Sequence, residues 1–236
     1  NIGLNVTQHG LPLAWRVLVG NTADSTTPRQ NLEAVRSLLS EAQRCNTTII
    51  HDRAMATPET LVWYGLQEQK FISPMTVDHE LQALLDSVSP EELQAHPLAY
   101  RPARNTGTPP PYYGVWREHV VSHEGQTFRV RVLVVFSQSK AMLDAEKRQE
   151  ALHKLLKRLE AIQSNLNQRK YKRREYTLEQ IHLAQRGNAA RDLVDIELQG
   201  ENGALVLTFR VNAARLAQAE RRDGRYPIVT NRWDSD

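Results

Sequence analysis

Apolar and polar positions near the start of the chain follow a strand-like and then a helix-like pattern. Two apolar runs, 2–6 and 13–19, flank the turn sequence His-Gly-Leu-Pro at 9–12, and together they predict a β-hairpin. Thr27 and Pro28 then form a helix-start signal, with the proline at the first helical position. Leucine and valine residues follow at spacings of three and four, so one face of this helix is predicted to lie in a core.

A second pattern of strand, helix and strand lies between residues 47 and 77. The run 47–50 contains four β-favouring residues without alternation, which predicts a strand covered on both faces. A helix is predicted from Pro58, and residues 71–77 predict the next strand. The order strand, strand, helix, strand, helix, strand is typical of an α/β layer with a hairpin at one end.

The pattern changes in the middle of the chain, where longer strands precede a long helix. Runs at 115–121 and 127–136 predict a second hairpin around Gly125, and alternation of apolar residues with arginines indicates one solvated face. No Gly or Pro occurs between Gly125 and Gly187, and leucines recur there at helical spacing. This region predicts one long amphipathic helix followed by a second helix at about 177–186.

The last third of the chain ends in two further β segments. The turn sequence Glu-Asn-Gly at 201–203 predicts a third hairpin, Asn212 predicts a helix cap, and 226–230 predicts a final strand. We therefore predict a core at 1–77, a β-plus-helix domain at 78–222, and a terminal segment at 223–236 that returns to the core.

Positive charge is concentrated on the predicted helix pair. Between Lys140 and Arg186 there are 12 Lys or Arg residues against 6 Asp or Glu residues, whereas the rest of the chain is slightly acidic. The densest part is the predicted bend at 169–174, with Tyr171 and Tyr176 interleaved. Such a segment can bind DNA phosphates and stack on exposed bases, and a solvated helix bend is the alternative. Its candidate DNA-binding residues are Arg169, Lys170, Lys172, Arg173 and Arg174.

Asp52 is the main candidate for chemistry, because it lies two positions beyond the end of the strand predicted at 47–50. Groups at the carboxyl ends of parallel strands lie in an open crevice, so this carboxylate is predicted to be presented to solvent. The alternative is that it starts the following turn, a position that aspartate favours. His51 is predicted to face away from Asp52, because side chains alternate along a strand. Asp24 is interpreted as a loop or helix-start residue rather than a ligand.

Several of these stretches, taken in order, resemble a known family. The residues that carry the likeness are Gly3-Leu4 with Gly10–Leu13, Gly20-Asn21 with Asp24, Ile49–Met55, Leu61, Phe71-Ile72, Lys140-Ala141 through Arg148, and Asp223–Asn231. In this order and spacing the chain resembles the bacterial insertion-sequence DDE transposases, over nearly its whole length. The resemblance implies an α/β fold with an RNase H-like mixed sheet, interrupted by an insertion domain of β-strands and long helices.

The resemblance also implies a chemistry. Enzymes of this family use three carboxylates to hold two Mg²⁺ ions about 3.5–4 Å apart, and they cleave and transfer double-stranded DNA at transposon ends. Asp52 corresponds to the second of the three carboxylates and is therefore the expected catalytic and metal-binding residue. Arg53 is expected to contact a phosphate, with an ion pair across the turn as the alternative.

Two departures from the family pattern limit this expectation. The family's first Asp lies on a strand upstream of Gly3, and its Glu lies on a helix beyond Asn231. Since the chain opens on Asn1 rather than on Met, we expect it to be a fragment of a longer protein. We expect it to be inactive alone, because it carries one of the three family carboxylates. Ala54 also stands where the family usually has Gly.

A different class of function is a non-catalytic nucleic-acid-binding or dimerising module, such as a degenerate transposase remnant built on the basic helix pair. A homodimer is the assembly expected in that case. Neither interpretation involves a membrane, because no apolar run approaches the roughly 20 residues needed to cross a bilayer. The single Cys45 offers neither an internal disulfide nor a zinc site, which favours a reducing cytoplasm. The resemblance implies that this is the bacterial cytoplasm, in association with the nucleoid.

Overall fold

The computed structural model describes residues 2–23, 26–100 and 111–234. Within it the chain forms two compact units. Unit 1 comprises Asn1–Phe136 and Tyr226–Asp236, and unit 2 comprises Ser137–Arg225. This division differs from the predicted one, since the hairpin that was predicted to belong to a domain at 78–222 lies in the main sheet of unit 1.

Unit 1 is a mixed α/β structure. Its strands are β1 (Ile2–Val6), β2 (Pro12–Val17), β3 (Thr48–Ile50), β4 (Lys70–Pro74), β5 (Pro97–Leu98), β6 (Tyr112–His123) and β7 (Gln126–Ser137). Its α-helices are α1 (Pro28–Leu38), α2 (Glu41–Asn46), α3 (Pro58–Leu66), α4 (His79–Asp86) and α5 (Pro90–Gln94). The predicted hairpins at 2–19 and 115–136 and the helices that begin at Pro28 and Pro58 are confirmed.

Unit 2 contains the long helix and the third hairpin. Its elements are α6 (Gln138–Ser164), α7 (Arg174–Gln185), β8 (Val194–Gln199), β9 (Val206–Val211) and α8 (Ala213–Arg222), and the next strand is β10 (Arg225–Thr230). The predicted cap is also confirmed, since the side chain of Asn212 accepts a 3.0 Å hydrogen bond from the amide of Arg215. Leucines at helical spacing on α6 pack against α7 and the β8–β9 hairpin, so the predicted stripe forms the core of this unit.

The main sheet of unit 1 has six strands in the order β3-β4-β10-β7-β6-β5. β3 is parallel to β4, and β4 is antiparallel to β10, with Ile228 opposite Pro74. The final strand of the chain therefore joins the sheet that holds β3. The hydroxyl of Thr230 donates a 2.6 Å hydrogen bond to the carbonyl of Phe71, which fixes this pairing of distant segments.

The core of unit 1 lies between this sheet and α3. The predicted alternation on β7 is confirmed, because Val130 and Val132 are fully buried whereas Arg129 is exposed. Gly65 of α3 packs directly on the ring of Phe128, and a β-carbon added there would overlap the ring. The absence of a side chain at this position therefore sets how closely α3 approaches the sheet.

β3 departs from its predicted environment. The run 47–50 was predicted to be covered on both faces, but β3 is an edge strand and Ile50 is 74% exposed. The prediction was wrong, because the side chain of Ile50 is mostly exposed and those of Thr48 and Ile49 are only partly buried. The β1–β2 hairpin forms a separate two-stranded sheet.

Candidate functional site

Asp52 lies two residues beyond Ile50, the last residue of β3, and its side chain is exposed. It precedes a single 3-10 turn, Arg53–Met55, and its Oδ1 accepts a 2.6 Å hydrogen bond from the amide of Arg53. The carboxylate thus caps this turn, as the turn-forming alternative predicted. It is also presented to solvent, because β3 and the neighbouring β4 are parallel and their carboxyl ends lie at one edge of the sheet.

The carboxylate borders a crevice of about 380 Å³ in unit 1. Its lining includes residues 2–5 of β1, Leu18 after β2, and residues 49–52. Asn31 and Leu32 of α1 also line it. The lining mixes apolar side chains with polar ones such as Asn5 and Asn31, and Asp52 is the one carboxylate among the described residues that line it.

His51 has a different environment from Asp52. Its ring is half-buried, 5.7 Å from the ring of Tyr64, and its Nδ1 lies 3.0 Å from both the carbonyl oxygen of Asp52 and Oγ of Ser73. Because a carbonyl only accepts, Nδ1 carries the proton, and the buried Nε2 has no hydrogen-bond partner among the described residues. Burial lowers the pKa of His51 below its usual value of 6.5. The hydrogen bond to the backbone of Asp52 and the negative charge of its carboxylate raise the pKa, but they have the smaller effect. The ring is therefore neutral and has a structural role, in contact with Ser73 and Tyr64.

Ser73 was not recognised from the sequence. It is fully buried on β4, and its hydroxyl lies 2.8 Å from the carbonyl oxygen of Pro74 and 3.0 Å from Nδ1 of His51. A lone serine within an apolar strand carries no pattern that would indicate this contact. Only the parallel pairing of β3 and β4 brings Ser73 and His51 together.

The other candidates near Asp52 have fewer contacts. Arg53 is exposed and, within the described part of the chain, has no carboxylate partner, so the ion pair considered for it does not form. Asp24 lies outside the described residues.

The described residues do not complete a site for a divalent ion. One carboxylate is present at the crevice, and no group of three or more His, Cys, Asp or Glu side chains among residues 2–23, 26–100 and 111–234 is arranged to hold a metal. Asp52 can offer an oxygen ligand of the kind that Mg²⁺ prefers, but a single carboxylate does not fix two ions against hydration.

In unit 2, the predicted basic bend forms a 3-10 turn, Arg169–Lys172, between α6 and α7. We call residues 169–174 the basic turn. It is anchored to the loop between β8 and β9: the amide of Gly203 donates to the carbonyl of Lys172 at 2.8 Å, and the amide of Arg174 donates to the side chain of Asn202 at 2.7 Å. These two contacts of backbone amides fix the turn against the loop, and most side chains of the turn are exposed to solvent.

The cations of the basic turn lack acidic partners. Arg169, Lys170, Lys172 and Arg173 are exposed, and within the described residues no carboxylate lies within ion-pair distance of them. This arrangement leaves a dense positive surface that is free to bind phosphate.

The two tyrosines of this region contact each other rather than lying open. The rings of Tyr171 and Tyr176 meet edge to face at 5.1 Å, and both are half-buried. Lys170 Nζ lies 6.0 Å from the centre of the Tyr176 ring. The predicted stacking of these rings on bases therefore requires them to separate first.

Comparison with known proteins gives no match: no family model fits the chain, and neither a curated protein nor a solved structure is significantly similar to it. Within the residues that the structure describes, no helix combines the length and apolar character that a bilayer-spanning segment needs.

Proposed function

We propose that this chain is part of the catalytic core of a DDE transposase with an RNase H-like fold, which cleaves and transfers transposon-end DNA with Mg²⁺. The observation that carries the proposal is the exposed carboxylate of Asp52 at the carboxyl end of a strand parallel to its neighbour. Side chains at such positions face a crevice where a substrate can bind. The ordered sequence resemblance supports the same assignment for Asp52.

The proposed role of Asp52 is to contribute one oxygen ligand to a divalent ion. Its Oδ1 is engaged by the amide of Arg53, which holds the carboxylate in place at the rim of the crevice. Arg53 is proposed to contact a DNA phosphate, since it is exposed and has no acidic partner in the described chain. Because the described residues offer one carboxylate and not three at the crevice, we expect no strand cleavage by this chain alone.

A second candidate function is a nucleic-acid-binding or dimerising module without catalysis. The specific observation in its favour is the basic turn, in which four exposed cations lack acidic partners in the described structure. A surface of this kind attracts a phosphate backbone through counterion release, whatever the chemistry at Asp52. Both functions have double-stranded DNA as a partner, and the second also allows a homodimer through the helix pair.

The metal-ligand role can be tested with Mn²⁺, whose unpaired electrons broaden nearby NMR signals. We expect amide signals of residues 50–54 to broaden at lower Mn²⁺ concentration than those around Asp78, and Asp52→Asn to abolish the effect. Asp78 is the matched control because it is also an exposed capping aspartate: its side chain accepts a 2.8 Å hydrogen bond from the amide of Leu81. Equal broadening at the two aspartates, or none at Asp52, would show that Asp52 caps the turn and does not bind the metal specifically.

A further inference from the structure

A second cleft in unit 1 lies apart from the crevice at Asp52. It has a volume of about 360 Å³ and lies where the C-terminal halves of α1 and α3 meet α2. None of its described lining residues also lines the crevice at Asp52. The lining residues are Glu33, Arg36, Ser37, Arg44, Trp63 and Gln67. A cleft of this size is large enough for a small organic ligand.

Two half-buried guanidinium groups supply positive charge to this cleft. Nε of Arg44 donates to the carbonyl oxygens of Arg36 and Leu39 at 2.9 and 3.0 Å. Nη1 of Arg36 lies 3.4 Å from both the carbonyl and the side-chain oxygen of Gln67. Within the described residues, no carboxylate lies within ion-pair distance of either guanidinium. Because a guanidinium has five N–H donors, most donors of both groups remain available to an anion.

An indole ring and a carboxylate complete the lining. Trp63 is half-buried, and its ring is held by Arg29, which lies 5.6 Å from the ring centre and pairs with Glu59 at 3.1 Å. An aromatic ring of this kind can stack against a nucleobase. Glu33 is exposed, and within the described residues its carboxylate has no hydrogen bond or ion pair. Because a carboxylate only accepts hydrogen bonds, a ligand that fills the cleft has to offer donors as well as an anion.

The positive charges lie toward the C-terminal end of α1. Arg44 contacts the carbonyl of Leu39, the residue that caps this end, six residues after Glu33. Six residues correspond to about 9 Å along a helix, which is enough to separate the base of a mononucleotide from its phosphate. The guanidiniums also offset the partial negative charge of this helix end, which by itself repels a phosphate.

We propose that this cleft binds free guanosine monophosphate. The guanidiniums of Arg36 and Arg44 hold its phosphate through charge-assisted hydrogen bonds. The base stacks on Trp63, and the carboxylate of Glu33 accepts two adjacent N–H groups of the base. Guanine is the base that fits, because among the common nucleobases it alone carries a ring N–H next to an amino group. The site does not depend on the proposed action on DNA.

The first experiment titrates the ¹⁵N-labelled full chain with guanosine monophosphate and follows its NMR signals. We expect saturable shifts of the Trp63 indole N–H and of amides at 33–37 and 63–67, while the indole signals of the other three tryptophans stay in place. Guanosine and inorganic phosphate each carry one part of the ligand, so each is expected to bind at least about tenfold more weakly. Adenosine monophosphate lacks the two adjacent N–H donors and is expected to bind about tenfold more weakly as well.

The second experiment changes the lining. Glu33→Gln should weaken binding of guanosine monophosphate by about tenfold, yet strengthen binding of inorganic phosphate, because it removes a negative charge near the guanidiniums. This variant keeps the fold, since the exposed carboxylate has no contact to lose within the described residues. Arg36→Gln should weaken binding of both ligands by about tenfold. The matched control is Arg16→Gln, which removes the same charge from an exposed position on β2 and should bind both ligands as the unchanged protein does.

Three results would overturn the proposal. One is the absence of saturable shifts at Trp63 up to about 1 mM guanosine monophosphate. Another is equal binding of guanosine monophosphate and inorganic phosphate, together with no effect of Glu33→Gln, which would show that the cleft holds only an anion. The third is tighter binding, at the Trp63 signal, of a 5′-phosphorylated DNA strand that begins with deoxyguanosine, which would show that a DNA end and not a free nucleotide occupies the cleft.

Discussion

Arg148 of α6 and Asp223, which follows α8, form an ion pair although they lie 75 residues apart in sequence. Their side chains are only 12% and 15% exposed. Next to this pair, the carboxylate of Asp144 accepts a 3.0 Å hydrogen bond from the amide of Gly224. Two of the sequence stretches that carry the transposase resemblance, the start of the long helix and the Asp-Gly-Arg segment, are therefore in direct contact within unit 2.

This pair is expected to stabilise unit 2. Arg148→Met leaves Asp223 nearly buried without a partner, so we expect the free energy of unfolding to fall by about 3 kcal/mol. The double variant Arg148→Met/Asp223→Asn is expected to recover part of that loss, because it no longer leaves the charge of Asp223 in a nearly buried position. Urea unfolding followed by circular dichroism measures both effects. The exposed pair Lys154–Glu150 on the same helix is the control, and solvent screening should make its coupling unmeasurable.

The capping contact of Asp52 predicts different effects for two substitutions. Asp52→Ala removes the oxygen that accepts the Arg53 amide, and we expect a loss of about 0.5–1 kcal/mol, the lower part of the range for caps, because only one 3-10 turn is involved. Asp52→Asn keeps an acceptor and should change stability by less than about 0.5 kcal/mol. Urea unfolding distinguishes them. Equal losses for both variants would show that the charge, and not the capping hydrogen bond, supports the turn.

The basic turn is predicted to bind double-stranded DNA. Lys172→Gln/Arg173→Gln removes two exposed cations of this turn. The slope of the logarithm of the DNA-binding constant against the logarithm of the salt concentration should then become shallower, by about 0.9 for each phosphate that the variant no longer neutralises. Fluorescence anisotropy with a labelled duplex at several salt concentrations measures the slope. Lys157→Gln/Arg158→Gln removes the same charge from exposed positions on α6 and should leave the slope nearly unchanged. If the slope becomes shallower by the same amount in both double variants, binding reflects net charge and not the turn.

His51 predicts a pH dependence of stability. Burial holds the pKa of this ring below 6.5 in the folded chain, so the unfolded chain takes up a proton at higher pH than the folded chain does. The stabilising contribution of the neutral ring is therefore complete above about pH 6.5 and is lost as the pH falls through the folded-state pKa. Protonation is unfavourable because the buried Nε2 has no acceptor within the described residues.

This dependence can be measured from urea unfolding at about pH 7.5 and about pH 5.5. The loss of stability between the two values should be smaller in His51→Gln than in the unchanged protein. His153→Gln removes an exposed histidine of α6, so the loss of stability between the two pH values should equal that of the unchanged protein. An unchanged pH dependence in His51→Gln would mean that other groups account for it.

Most of the local structure follows from the sequence. Hairpin turns such as Glu124-Gly125 place residues with a positive φ where the chain reverses, and the prolines at 28 and 58 mark the first residues of helices. Leucine spacing on α6 correctly indicated the buried face of that helix. These features depend on neighbours within a few positions, which is the range over which turn, cap and periodicity signals act.

The environment of the candidate site was less predictable. The position of Asp52 at a strand end could be inferred from the apolar run before it, but the exposure of Ile50 could not. An apolar run without alternation does not distinguish a central strand from an edge strand, since that depends on which segments pair with it. The contact of His51 with Ser73 likewise depends on the register of β3 against β4.

The sequence by itself determined where strands, turns and helices begin, that positive charge gathers between α6 and α7, and that an acidic residue lies two positions after β3. Only the tertiary structure decided that β10 pairs with β4, that the boundary between the units follows β7, and that residues of β1 and β3 line one crevice. The physical reason is that backbone pairing between distant segments uses the same N–H and C=O groups at every residue. Side-chain patterns specify which face of a strand is buried, but they do not specify which strand lies beside it.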